Sequence, residues 1–356
     1  SKDILNKIFN KFNLNFFLYY LFVKFLRLFS PVVFLIDFLI NLLKYYIFEF
    51  KRDNLKFIFG NEKSFFNPNK DKNKVLIFLI YGNTINERPW KYSVINFLKN
   101  GYKVIAIVNG KNKFDFKDLK LENSDFIVYE RKNYGYDMGA YKSIFNYLVK
   151  KERLNFFSEV CLLNDSVFFP ATNPAPFFTW LDRPKMFGGG LVNYSTDNDP
   201  HLQSFFMQFQ STAIELLKNF FNEYVPLSSR NHAIKKGEVA ISALMRKNNI
   251  SWEAFINLDK IMAITSSPQF SSYRAILLNT NPTHTVPLFI IDNDFPFIKY
   301  DIFSKKINME EALKFFEKKR HSQYEGFHHF CRYIHHILES PHQSLYSKFL
   351  QIYGLK

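Results

Sequence analysis

An α/β fold, with a mostly parallel sheet flanked by helices, is what this sequence predicts. Three observations carry the prediction. Short continuous apolar runs recur ("KVLIFLIYG" at 74–82, "YKVIAIVNG" at 102–110, "SDFIVYE" at 124–130, "SEVCLLNDSVFFP" at 158–170). Helix-patterned segments separate them, such as "RPWKYSVINFLKNG" at 88–101 and "AYKSIFNYLVK" at 140–150. Polar residues and glycines sit where the apolar runs stop. Apolar runs of strand length without polar alternation are buried on both faces, as parallel strands between two helical layers are, and strands alternating with helices indicate crossover units.

Residues 1–66 form an apolar, basic helical region. Lys24, Arg27, Asp37, Lys44 and Glu49 interrupt it, and Pro31 divides it. No uninterrupted apolar stretch reaches the roughly 20 residues of a spanning helix. Two helices meeting at Ser30–Pro31 are expected, lying in a membrane interface as an anchor or packed on the core. "NPNKDKNK" (67–74) reads as a turn-rich linker. The α/β domain then runs from 67 to 305, and 306–356 reads as a helical extension. Within the domain, Gly101 closes a helix and another helix follows Gly139. "RPKMFGGGLVNY" (183–194) is strand-like with a flexible glycine run. "HLQSFFMQFQSTAIELLKNFFNEY" (201–224) has amphipathic helical spacing, "KGEVAISALMRKNN" (236–249) is a helix, and "RAILLNTNPTHTVPLFI" (274–290) is a strand followed by a loop.

Composition narrows the function. The formal net charge of +15 predicts an anionic partner: nucleic acid, a phospholipid surface or a phosphate-bearing substrate. The basic residues are scattered and no nucleic-acid recognition module is present, so nucleic acid is not the expected partner. Two cysteines, Cys161 and Cys331, make neither a disulfide framework nor a zinc cluster and fit a reducing cytoplasm. The 44 phenylalanines are consistent with a compositionally biased genome.

Four places offer chemistry. In "RKNYGYDMGAYKSIF" (131–145), Asn133, Gly135, Asp137 and Gly139 lie at a strand-to-helix junction. The glycines either make a tight turn or give a ligand access to the backbone, with a helix N-terminus suited to phosphate. In "LLNDS", Asn164, Asp165 and Ser166 end an apolar strand. Asp165 either points into the crevice beyond the sheet or belongs to an Asx turn. Glu238 opens an apolar helix, as a partner of the helix dipole or as a general base. His284 of "NPTH" is a metal ligand, a phosphate donor or a turn constraint. The C-terminal pairs His328/His329 and His335/His336 share a helical face without accompanying carboxylates or cysteines, which favours a basic surface helix over a metal stripe.

In order, "RKNYGYDMGAYKS", "CLLNDSVFFP", "HLQSFFMQF", "KGEVAISALM" and "NPTH" with "FPFIKYDIF" resemble the rhamnan synthesis protein F family of bacterial glycosyltransferases, over about residues 75–305. The resemblance implies a GT-A-like domain and transfer of L-rhamnose or another deoxyhexose from a nucleotide diphosphate, with inversion. The acceptor it implies is a cell-surface glycan or lipid-linked glycan at the cytoplasmic membrane face. It implies donor contacts at Asn133, Gly135, Asp137, Gly139, Asn164, Asp165, Ser166 and His284, and a base at Glu238. Where Mg²⁺ or Mn²⁺ takes part, Asp165 is its implied ligand. Ser166 stands where the Asp-x-Asp pattern of such folds has a second carboxylate, and the tryptophan expected after "NPTH" is missing from "NPTHTVPLF". The reduced motif also suits a non-catalytic subunit that binds nucleotide sugar or glycan.

Overall fold

The computed structural model describes residues 55–67, 73–82, 89–110, 116, 125–194, 200–227 and 229–301, together with 35, 36, 39, 40 and 43. The chain forms two compact units, Ser1–Arg52 and Asp53–Lys356. In the first, Leu35, Ile36, Leu39, Ile40 and Leu43 are helical and exposed. Their spacing puts them on one helix face. The helix pair expected around Pro31, most of the linker, the 306–356 extension, its four histidines and Cys331 lie outside the described residues.

The second unit is built on a sheet of nine strands among the described residues. The strands are β1 (Lys56–Phe59), β2 (Lys74–Tyr81), β3 (Lys103–Asn109), β4 (Phe126–Arg131), β5 (Glu159–Asn164), β7 (Phe187–Asn193), β8 (His201–Leu202), β9 (Phe206–Gln210) and β10 (Trp252–Ile256). A separate two-stranded ribbon pairs β6 (Val167–Phe168) with β11 (Ile298–Lys299). The sheet order is β1-β4-β3-β2-β5-β9-β7-β10, with β8 paired to β7. β4, β3, β2 and β5 are parallel neighbours, and β10 is parallel to β7. β9 is antiparallel to both of its neighbours, β5 and β7.

Alternation along β2 explains why its sequence is apolar throughout. Val75, Ile77 and Leu79 enter one core layer; Leu76, Phe78 and Ile80 enter the other. The first layer is covered by α3 (Tyr136–Lys150) and α5 (Thr212–Glu223), the second by α2 (Lys91–Lys99) and α4 (Ala175–Leu181). The small α1 (Glu62–Phe65) precedes β2. Each large side chain buried in these layers contributes about 1.5–3 kcal/mol.

Several expectations give way. Residues 56–65, grouped by composition with the N-terminal region, join the sheet unit: β1 pairs antiparallel with β4. The glycines of "FGGGLVN" are buried in β7, not flexible. A Cβ on Gly189 would meet Leu202 at 3.0 Å and one on Gly190 the Phe205 ring at 3.1 Å, so their bareness lets β8 and Phe205 lie flat on the strand. Residues 201–224 are not one helix. β8 and β9 come first and only then α5. β9 is buried on both faces, which removes the alternation that would mark it as a strand. Residues 274–290 are helical, in α9 (Ser271–Asn279), α10 (Pro282–Thr285) and α11 (Pro287–Asp292), after α8 (Leu258–Ile264). They follow a further helical run made of α6 (Arg230–His232), a π-helical segment Ala233–Val239 and α7 (Ala240–Lys247).

From β2 the chain builds outward through β3 and β4, then returns to place β5 on the other side of β2. The carboxyl ends of β2 and β5 therefore diverge at a topological switch point, where open α/β sheets bind their ligands. Being antiparallel, β9 presents its amino end at the same edge.

Candidate functional site at the β2–β5 switch point

The loop after β4 is locked by Arg131. Its guanidinium donates to Asn109 Oδ1 (2.8 Å) and to Tyr134 O (3.1 Å), and Asn109 Nδ2 donates to Asn133 Oδ1 (2.9 Å). Asn133 is thus bound to the end of β3. Gly135 turns the chain with φ +71°, and α3 begins at Tyr136, one turn earlier than the sequence suggested. A Cβ on Gly135 would lie 2.5 Å from Pro226 Cβ, and one on Gly139 would lie 2.3 Å from Tyr134 O. Protein atoms fill the space that the glycines vacate. They serve the tightness of the turn, and the ligand clearance inferred from sequence is not what they provide.

The turn delivers Asp137 to the switch point. Its carboxylate accepts from the Tyr81 hydroxyl at the end of β2 and from Asn164 Nδ2 (2.7 Å) at the end of β5. Asp137 keeps some exposed surface but is closely enclosed. Desolvation pushes its carboxyl up to about 6. The negative charges of Asp165 and Glu238 add to that rise, and the bonds from Tyr81 and Asn164 offset part of it.

Asn164 also makes an Asx turn, its Oδ1 accepting from Ser166 N (3.1 Å) and from the Ser166 hydroxyl. Asp165 is 1% exposed. Its N–H donates to Leu79 O (3.0 Å), and its Oδ2 accepts from Tyr81 N (3.1 Å). The carboxylate therefore folds back on the end of β2 and does not point into the crevice. This tests the implied divalent ion, which would need an accessible carboxylate here. Asp165 does not offer one, and among the described residues no group of three or more His, Cys, Asp or Glu comes together to hold a metal. Asp165, as it is held here, does not fit the ion.

Glu238 lies within the π-helical segment, with helical residues before it from Arg230. It is not at a helix start, so the helix-dipole explanation falls away. π-segments inside helices recur at functional sites. A Cβ on the neighbouring Gly237 would lie 2.5 Å from Met138 Cγ, so that glycine admits the first turn of α3 beside Glu238. Glu238 Oε1 pairs with His201 Nε2 (3.0 Å), and Oε2 accepts from Ser204 N (2.7 Å). Burial works to raise its pKa, but the bonds from His201 and Ser204 outweigh burial and hold it below the usual glutamate value.

Asn281 caps α10. Its Oδ1 accepts from Thr283 Oγ1 (2.7 Å), Thr283 N (3.2 Å) and Gln203 Nε2 (3.2 Å). His284, next along, contacts Lys299 Nζ through Nε2 (3.3 Å) and Asp301 Oδ2 through Nδ1 (3.4 Å). Lys299 lies in β11 opposite Val167, immediately after "NDS". Burial lowers its pKa, and the charges of Asp301, Glu238 and Asp137 act against that lowering.

The structure thus gathers Asp137, Asn164, Asp165, Ser166, Glu238 and His284 around one sheet edge. Residue-level reading missed Tyr81, His201, Gln203, Ser204, Arg230 and Lys299. His201, Gln203, Ser204 and Lys299 lie inside segments that already carried the resemblance. Their signal was chemical type at a strand end, which becomes visible once β9 is known to be a strand.

The model of the family described as rhamnan synthesis protein F matches residues 104–327. The chain is 23% identical over 257 residues to "Virulence protein VirA" of Vibrio anguillarum, covering 67% of this chain and 81% of that protein. Among solved structures, the glycosyltransferase GlyE of Streptococcus pneumoniae TIGR4 superposes with a TM-score of 0.37 at 8% identity, over 80% of this chain and 64% of that one. A 4-diphosphocytidyl-2C-methyl-D-erythritol synthase gives 0.34 at 10% identity, over 58% of this chain and 100% of that one.

Proposed function

Because the chain belongs to the rhamnan synthesis protein F family, we propose that it is a glycosyltransferase. The substrate we assign is a nucleoside-diphosphate sugar, L-rhamnose or another deoxyhexose, transferred to a glycan acceptor. One observation carries this reading. Segments far apart in sequence bring Asp137 and Glu238 to one edge of an α/β sheet, where the charge of Glu238 helps raise the pKa of Asp137.

In the proposed reaction the donor lies across the ends of β2 and β5, with its nucleoside toward Asn133 and Asp137. Glu238, held ionised by His201 and Ser204, accepts the proton of an acceptor hydroxyl. The hydroxyl oxygen bonds to the anomeric carbon from the face opposite the diphosphate. The bond from that carbon to the diphosphate oxygen breaks, and the nucleoside diphosphate leaves with the electron pair. A single displacement inverts the anomeric centre. No step is routed through a metal ion. Assaying the full chain against a panel of nucleoside-diphosphate sugars, with and without EDTA, tests this. One donor should turn over in EDTA. Failure of every donor with a matched acceptor, alongside measurable donor binding, would favour the non-catalytic binding subunit, a reading that the inward-folded Asp165 supports.

The acceptor we assign is lipid-linked and met at the cytoplasmic membrane face. Leu35, Ile36, Leu39, Ile40 and Leu43 form an exposed apolar stripe, and Lys51 and Arg52 follow in sequence. Apolar surface combined with positive charge suits an anionic interface. Among the described residues no helix is long and apolar enough to cross a membrane. Flotation with phosphatidylglycerol vesicles should carry the protein upward, and a Leu35→Glu/Leu39→Glu variant should stay behind. Equal flotation of both would remove this assignment.

A further inference from the structure

A diphosphate entering this edge comes within the field of Asp137, Asp165 and Glu238, all acidic. Three like charges oppose it, and the inward-folded Asp165 offers no seat for a divalent ion to offset them. The compensating charge must come from side chains. Lys299 is placed for it. β11 pairs with β6, setting Lys299 opposite Val167, and Tyr300 N donates to Ser166 O (3.1 Å), tying this ribbon to the end of "NDS". Lys299 Nζ lies 5.9 Å from the ring centre of Phe205, the residue after the one that donates to Glu238. Arg230, exposed on α6, contributes a second positive charge to the surroundings of Lys299 and His284.

We propose that Lys299 is the cation facing the donor's diphosphate, and that His284 is a positioning residue that holds it through the chain Asp301–His284–Lys299. The inference rests on the glycosyltransferase reading and deepens it. The chain has a direction. A lysine ammonium only donates, so His284 Nε2 must accept, which leaves the ring proton on Nδ1, the nitrogen that lies 3.4 Å from Asp301 Oδ2. Burial, and then the charge of Lys299, lower the pKa of His284, consistent with a neutral ring. His284 therefore brings no charge to the cleft. It fixes the direction of the group that does, which revises its role from phosphate donor to support.

Titrating the full chain with inorganic pyrophosphate in EDTA tests this. Lys299→Met keeps the apolar stem and removes the charge, and should weaken binding about tenfold or more, the scale of one charge-assisted hydrogen bond. Lys299→Arg should retain most of the affinity. His284→Ala should weaken binding, and His284→Gln, whose amide oxygen can accept from Lys299, should restore it. A role in mere stability would not give that rescue. Pyrophosphate binding by Lys299→Met equal to that of the unaltered protein would overturn the proposal, and donor turnover would leave the glycosyltransferase reading standing. Absence of both pyrophosphate binding and turnover in the unaltered protein would remove both.

Discussion

Two carboxylate–tyrosine clusters sit at opposite ends of β5, and they are built to different ends. At the amino end, Glu159 is 3% exposed, takes a hydrogen bond from the Tyr102 hydroxyl and accepts from Gln210 Nε2 (2.8 Å). Lys74 lies opposite Glu159 in the sheet register and pairs with Asp182 (2.7 Å). Lys185 donates to the carbonyls of Trp180, Leu181 and Arg183 while feeling the charge of Glu159. Positive charge stands beside the carboxylate, and the cluster is closed. At the carboxyl end, Asp137 also binds a tyrosine and an amide, but its acidic neighbours are Asp165 and Glu238, and its pKa rises to about 6. Both clusters are rich in hydrogen bonds. What separates them is like charge left together at the carboxyl edge of the sheet, an arrangement that works against stability and is associated with function.

The largest effect expected from this contrast comes from exchanging the acid for its amide at each end. Glu238→Gln should lower transfer by about 10²–10⁴-fold, the usual worth of a positioned base, with donor binding little changed. Glu159→Gln should leave turnover per folded molecule alone. Its cost should appear in urea unfolding, about 1–3 kcal/mol, because a second amide donor would face Gln210. Initial rates and unfolding curves on both variants separate the roles. Normal transfer by Glu238→Gln would end its assignment as the base and turn attention to Asp137, the more basic of the two.

How far the sequence could be read follows from the same physics. The parallel strands were legible because strands covered on both faces leave unbroken apolar runs, and the first two motifs were legible because they lie at the ends of such runs, β4 and β5. β9 was not, since an antiparallel strand buried on both faces has neither period 2 nor period 3.6. That concealed where Ser204 and His201 stand, and with them the partners of Glu238. Asp165 was legible as a strand-end acid but not in its direction, which depends on the Tyr81 N–H of a neighbouring strand. The glycines at 135 and 139 were legible as a turn, yet what fills their vacated space, Pro226 and a backbone carbonyl, comes from elsewhere in the fold. Lys299 is one of 47 basic residues, and only the β6–β11 pairing distinguishes it.

The smaller effect concerns Asp137 and reads the carboxyl-end cluster through its pH dependence. In the folded protein its pKa is raised from 3.8 to about 6. A carboxyl that holds its proton more tightly when folded favours the fold below its unfolded pKa. That contribution is lost as pH rises through the folded value. Between about pH 4 and pH 6 the loss amounts to at most about 3 kcal/mol, at 1.36 kcal/mol per pKa unit. Asp137→Asn cannot ionise and escapes this loss. Unfolding free energies measured from pH 4.5 to pH 8 should therefore show the variant gaining on the unaltered protein as pH rises, with the difference level above about pH 7. At the other end of β5, the same exchange at Glu159 should cost stability at neutral pH. If Asp137→Asn shows no such gain with pH, the desolvation and like charge ascribed to this cluster are not what distinguishes the two ends of the sheet.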